Sequence, residues 1–234
     1  MKRKKILYII IISIILILTP IIIISMIYFN PELTKPILKN LGVDFGPFDN
    51  KTIRAGAFIF NESEDKVFLE FGAKAPGTNG TKILPTFEYL VAKNCNVYAI
   101  CDGYIDSVKY QSDTQDYEIV IKTSPLSPWL VVQDHVLNLT ISVGQKIVAG
   151  TILGKPGTGI GQLGRTEIQV YLEITNTNYA PFLLFDPSLR EEYEQKVWNL
   201  MSDWENFKND TTIYDQEAMI HAGCLYTTLI ETDI

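Results

Sequence analysis

Two residue types that build metal and redox sites are scarce in this chain of 234 residues: it has only two histidines, His135 and His221, and three cysteines, Cys95, Cys101 and Cys224. No Cys-x-x-Cys, His-x-His or His-Glu-x-x-His spacing occurs. A thiolate structural zinc site and a helical two-histidine metal site are therefore not encoded. Three cysteines are too few for a disulfide framework, and the odd count leaves a thiol over. A bridge between Cys95 and Cys101 is compatible with an oxidising exterior, although spacing alone does not establish it. No serine or cysteine sits in a nucleophile-elbow setting. Gly159-Ile-Gly-Gln-Leu-Gly164 is a literal G-x-G-x-x-G, but a β-prone run follows it instead of a helix. The glycines read as a loop between strands, not as a dinucleotide site.

Charge is missing altogether from residues 6–29, a run of 24 residues that is mostly isoleucine. That length crosses about 30 Å of hydrocarbon as a helix. In lipid the backbone must satisfy its own hydrogen bonds, which imposes the helix and tolerates Pro20. Lys2, Arg3, Lys4 and Lys5 precede the run, and no basic residue follows it before Lys35. The positive-inside rule makes it a transmembrane signal anchor, with residues 1–5 a basic cytoplasmic tail and the remainder outside the cell membrane. The alternative is a cleaved secretory signal; its apolar core would be overlong, and no Ala-x-Ala-like site follows.

The outer part is acidic. Setting aside the four basic residues at 2–5 leaves 16 basic against 27 acidic side chains, a net charge of −11. Such a field repels nucleic acid, so no nucleic-acid partner is expected. Five sequons lie there, at Asn50, Asn61, Asn79, Asn138 and Asn209. Together they agree with a glycoprotein at the surface of an N-glycosylating cell. An unmodified Asn- and Thr-rich composition is the alternative.

Residues 30–50, punctuated by Pro31, Pro36, Gly42, Gly46 and Pro47, read as a loosely ordered stalk. A β-domain is expected over 51–187. Its first runs, 52–60 and 66–71, are separated by a polar turn and suggest a hairpin. Further strands are expected at 82–92, 97–110, 117–123, 129–134, 146–154 and 165–174. Short strands at this spacing, with no helical period between them, indicate an antiparallel, mainly β domain. Gly144, Gly150 and Gly154 fall where a sheet must bend or admit another backbone. From Asp186-Pro187 the pattern turns helical, with Ser188-x-x-Glu191 at capping-box spacing. Leu189, Tyr193, Val197, Leu200, Trp204 and Phe207 make an amphipathic stripe. The segment 188–234 is thus a C-terminal helix and tail, its stripe turned toward its own domain or toward a partner.

The region 83–189 resembles the lysostaphin-type (LytM-like) zinc metallopeptidases, whose core is the antiparallel duplicated hybrid motif. Val97-Tyr-Ala-Ile-Cys-Asp-Gly103 looks like the family's "Val-x-Ala…Asp-Gly" strand. Val143-Gly-Gln-Lys-Ile-Val-Ala-Gly-Thr-Ile-Leu-Gly154 is similar to its "Val-x-x-Gly-x-x-Val-x-x-Gly-x-x-Ile-Gly", and Gln169-Val-Tyr-Leu-Glu173 to its closing "His-x-His-Phe-Glu". The resemblance places the zinc ligands at Leu84, Glu88 and Tyr171, and the two assisting histidines at His135 and Gln169. Leucine cannot ligate, tyrosine is a poor zinc ligand near neutral pH, and glutamine cannot shuttle a proton. The implication is a degenerate site with no metal and no cofactor: a membrane-tethered pseudoenzyme. It would hold a peptide or protein ligand at the cell surface, using strand edges and Trp129, Tyr104 and Tyr171. One alternative is an active metallopeptidase that binds zinc through rearranged ligands, among them His135 and Glu88. A second is a barrel-sandwich module of a membrane adaptor protein, which shares the glycine turns but lacks here the carrier lysine.

Overall fold

The computed structural model describes residues 2–77, 80–159, 161 and 163–230. The first element is α1 (Lys2–Phe29), which contains Pro20. Within it, Tyr8–Met26 is long and apolar enough to cross a membrane, and none of it is buried against the rest of the chain.

Strands β1 (Phe48–Asp49), β2 (Arg54–Ala55) and β3 (Phe58–Ile59) form a small antiparallel meander. β4 (Phe68–Leu69) follows, then the hairpin strands β5 (Lys74–Gly77) and β6 (Gly80–Ile83). The remaining strands are β7 (Phe87–Ala92), β8 (Val97–Tyr98), β9 (Gly103–Gln111), β10 (Asp116–Lys122), β11 (Trp129–Leu137), β12 (Lys146–Ile147), β13 (Ile152–Thr158), β14 (Leu163–Leu172), β15 (Thr177–Tyr179) and β16 (Thr228–Ile230). With β4 they build one antiparallel sheet. At its heart β14 lies between β7 and β11, and β11 passes through β10 to β9. The mainly β, antiparallel reading of the sequence therefore stands.

Strict alternation divides this sheet into two faces. On β14, Ile168, Val170 and Leu172 are buried, and their cross-strand partners Phe87, Val131 and Trp129 are buried with them. Residues 165, 167, 169 and 171 point to the other, open face. The buried face is covered from two directions. Segment 38–60 supplies Leu38, Leu41, Val43, Phe45 and Phe58, and α2 (Arg190–Lys208) supplies Val197, Leu200, Met201 and Trp204. Edge-to-face aromatic contacts lock the layers, with Phe45–Phe58 centroids 4.8 Å apart and Phe60–Trp204 centroids 5.0 Å apart. The helical stripe is thus turned into its own domain.

Three local expectations change. Residues 30–50 are no loose stalk, because Leu38 and Leu41 are fully buried and Leu38 bridges both Phe185 and Cys101. Runs 52–60 and 66–71 do not pair with each other: β2 and β3 close a tight hairpin inside the first, whereas β4 pairs with β7. The capping box does not form either, since Asp186 Oδ1 takes up the Ser188 N–H and hydroxyl and α2 begins at Arg190. The three cysteines are free thiols. Burial pushes Cys95 up to about 11 and Cys101 up to about 12, so neither is a thiolate near neutral pH.

Candidate functional site

The open face of the sheet carries a row of charged side chains across three neighbouring strands. Glu167 of β14 stands opposite Glu88 of β7 on one side and Asp134 of β11 on the other. Directly opposed residues share a face with their Cβ atoms about 5 Å apart, so three carboxylates converge there. Arg165, two residues from Glu167 on the same face, supplies the balancing cation. Its Nε lies 2.7 Å from Glu88 Oε1 without pointing at it, its Nη2 donates to Glu88 Oε2 at 3.1 Å, and Nη2 is 3.6 Å from Glu167 Oε2. Thr86 Oγ1 donates to Glu167 Oε2 at 3.2 Å. The Glu167 carboxyl is held above the ordinary carboxylate range, first by burial; Arg165 pulls it down, and Glu88 pushes it up.

His135 enters this row through a bulge. Between the pairs Ile119↔Gln133 and Tyr117↔Val136, β11 spends one residue more than β10, and His135 takes the left-handed φ of 55°. A bulge re-aims the side chain it carries. Here Nδ1 lies 2.9 Å from Oδ2 of the fully buried Asp116. The contact fixes the imidazole ring against Asp116 and leaves Nε2 turned toward the acidic row. Nε2 lies 4.0 Å from Asp134 Oδ2 and 3.9 Å from Glu167 Oε1. The space for the pair exists because residue 157 is glycine: a Cβ there would stand 2.4 Å from Asp116 Oδ2 and 3.0 Å from His135 Cβ. Thr114 Oγ1 also donates to Asp116.

Glu88 and His135 both belong to this cluster, linked through Glu167. Gln169 and Tyr171 share the face but lie farther along β14, opposite Val132 and Leu130. Gln169 Nε2 donates to Asn178 Oδ1 at 2.6 Å, and the Tyr171 hydroxyl donates to Asn176 Oδ1 at 2.6 Å. Tyr171 is four residues from Glu167, about 13 Å at the strand rise. Leu84 precedes β7 and is buried. The set Leu84, Glu88 and Tyr171 does not fit a zinc ion: the first has no donor atom, the second is held by Arg165, and the third is remote. Trp129 is also withdrawn from any ligand, since it is 2 % exposed and its Nε1 donates to Pro31 O at 2.9 Å. Tyr104 remains partly exposed, its hydroxyl donating to Asp106 Oδ1 at 3.2 Å.

Sequence reasoning passed over Asp116, Asp134, Gly157, Arg165 and Glu167. A signal existed in Arg165-Thr-Glu167-Ile-Gln169, where polar residues alternate along an otherwise apolar strand. The register that places Glu167 opposite Glu88, however, is a tertiary fact. Atoms of Asp116, Asp134 and His135 lie within 4.8 Å of one another, the one grouping among the described residues with metal-ligand geometry.

No protein-family model matches the sequence, and no curated protein matches it. Solved structures do. The catalytic domain of the antimicrobial peptidase lysostaphin from Staphylococcus simulans is 19% identical with a TM-score of 0.38, covering 44% of this chain and 77% of that one. The catalytic domain of a point mutant of the prophage-encoded M23 protein EnpA from Enterococcus faecalis is 20% identical with a TM-score of 0.37, covering 50% and 86%. Csd3 from Helicobacter pylori is 12% identical with a TM-score of 0.39, covering 74% and 43%. Against lysostaphin solved in solution, the match spans 44% of that chain. The chain is similar to these lysostaphin-type structures over part of its fold.

Proposed function

We propose that this chain is a membrane-anchored, extracytoplasmic pseudoenzyme that binds a peptide or protein on the open face of a peptidase-like sheet, without zinc and without hydrolysis. The observation that carries this reading is Arg165. Its guanidinium lies between Glu88 and Glu167, at 2.7 Å and 3.6 Å, so the acidic row already has its cation, supplied covalently by the chain. A divalent ion would have to displace that group or sit beside its positive charge, which is unfavourable next to two carboxylates whose side chains are only 11% and 14% exposed. The binding face is a cleft of about 300 Å³ lined by Glu118, Val120, Leu130, Val132, Gln169 and Tyr171. It is mixed in character, with apolar walls and a few polar groups that fix orientation. The anchor is α1, whose Lys2–Lys5 cluster keeps the N-terminus in the cytoplasm.

A second reading, a metallohydrolase with rearranged ligands, is favoured by the Asp116, Asp134 and His135 grouping. A single assay separates the two. The full chain in detergent or nanodiscs is incubated with a mixed peptide library, with and without added zinc and with a chelator. The pseudoenzyme reading expects no cleavage above the buffer control in any arm. Cleavage that the chelator abolishes would replace it with the second reading.

A further inference from the structure

The passage from α1 into the domain contains no free linker. Asn30 N–H donates to Met26 O at 3.0 Å and Leu33 N–H to Asn30 O at 3.1 Å, so Asn30, with a non-helical φ of −131° and ψ of 76°, is the single residue that separates α1 from the turn Pro31–Thr34. That turn is bolted to the sheet. Trp129 Nε1 donates to Pro31 O at 2.9 Å, while Thr123 Oγ1 and Ser127 Oγ donate to Thr34 O at 2.6 and 3.3 Å. Two residues past Phe29 the chain is already part of the domain, a reach of only about 7 Å. Beside this junction three large apolar side chains face outward: Leu33 is 63% exposed, Ile37 56% and Leu126 41%. Leu33 is next to Thr34, and Leu126 lies in the turn whose Thr123 and Ser127 grip the Thr34 carbonyl. The apolar groups therefore cluster around the point where α1 emerges. Lys35 stands among them with its Nζ 3.3 Å from Glu32, a long cation suited to the headgroup level.

We propose that this end of the domain rests on the lipid bilayer, with Leu33, Ile37 and Leu126 inserted at the boundary between headgroups and acyl chains. The inference rests on the anchor reading given under Proposed function: a helix spanning the membrane and a two-residue junction leave the domain no room to stand clear of the surface. Burial of apolar side chains in that boundary is favourable in the way interfacial anchors are. It also bounds a distance: Asp134 lies five residues along β11 from Trp129, which is bonded to the junction turn, so no more than about 17 Å of strand separates them, and Leu130 with its partner Tyr171 is next to Trp129. A ligand of the open face must then be within reach of the membrane surface.

The test uses the full chain in phosphatidylcholine nanodiscs on a Cys95→Ser background, which removes a partly exposed native thiol. A nitroxide is placed by Leu126→Cys, by Leu33→Cys, by Ile14→Cys within α1, and by Asp113→Cys in the turn at the far end of β10. Collision of each label with lipid-soluble oxygen is compared with collision with an aqueous nickel chelate. The expected oxygen-to-nickel ratio at positions 126 and 33 is about threefold or more above that at position 113, as for side chains at the interface. A lipid-exposed label at position 14 together with fully aqueous labels at 126 and 33 would overturn the inference and leave the anchor standing. An aqueous label at position 14 would overturn the anchor reading and this inference with it. Both tested positions are exposed, and either one alone gives the answer should the other variant fail to fold.

Discussion

Replacing Arg165 by methionine removes the cation that the acidic row depends on while keeping most of the side chain's bulk. Glu88 and Glu167 have side chains only 11% and 14% exposed, so neither carboxylate is rehydrated when the guanidinium leaves. Removing one partner from a buried pair costs about 3–5 kcal/mol; with the Arg165 side chain 30% exposed, solvent screening lowers that to about 2–3 kcal/mol. The pH dependence follows from the sign of the Glu167 shift. Its folded pKa is raised, so its contribution to stability is full below the unfolded value and is lost as pH rises through the folded value. Without Arg165 the downward pull disappears and the shift grows, so the Arg165→Met penalty increases as pH rises through and above the ordinary carboxylate range. Urea unfolding of the full chain in detergent, followed by tryptophan fluorescence, measures this because Trp129 and Trp204 are both buried. Adding Glu88→Gln and Glu167→Gln should recover all but about 1 kcal/mol of the loss, since uncharged partners no longer need the cation. A loss below about 0.5 kcal/mol, unchanged with pH and not rescued, would refute the assignment of Arg165 as the neutralising group.

Other expectations follow from single contacts. Gly154→Ala should destabilise far more than Gly144→Ala: a Cβ at 154 meets Leu137 O at 2.3 Å, whereas Gly144 has open space and only its φ of +81° to resist, about 1 kcal/mol by urea unfolding. Trp204→Ala should cost about 3–5 kcal/mol in the same assay, because the ring is fully buried against Phe60 and its Nε1 donates to Asp65 O at 3.0 Å. Gly157→Ala should break the Asp116–His135 pair without unfolding the sheet, seen as a change in the His135 ring resonances in NMR; unchanged ring resonances would refute the packing argument.

Much of the architecture was legible because strands announce themselves locally. Alternation in Thr166, Ile168, Val170 and Leu172, and the glycine turns at 144 and 150, whose φ values are +81° and +88°, depend on neighbours along the chain. Segment 30–50 was not legible, for the opposite reason. Its prolines and glycines mimic a spacer, and the burial of Leu38, Leu41, Val43 and Phe45 depends on partners far away in sequence with no period to reveal it. The site was half legible. Glu88 and His135 stand out as residue types, but their meeting place is set by cross-strand register, and the pairing of Glu88 with Glu167 brings in Arg165 and Glu167 instead of Gln169 and Tyr171. The bulge that turns His135 toward Asp116 has no local sequence signature at all.

The proposed function depends on Arg165, beside Glu88 and Glu167, supplying the positive charge of the acidic row in place of a divalent ion. Metal analysis of the full chain, purified without chelator and dialysed against zinc-free buffer, tests it most directly. The account predicts less than about 0.1 zinc per chain, whereas close to one zinc per chain surviving dialysis, as expected of a tight coordinated site, would contradict it.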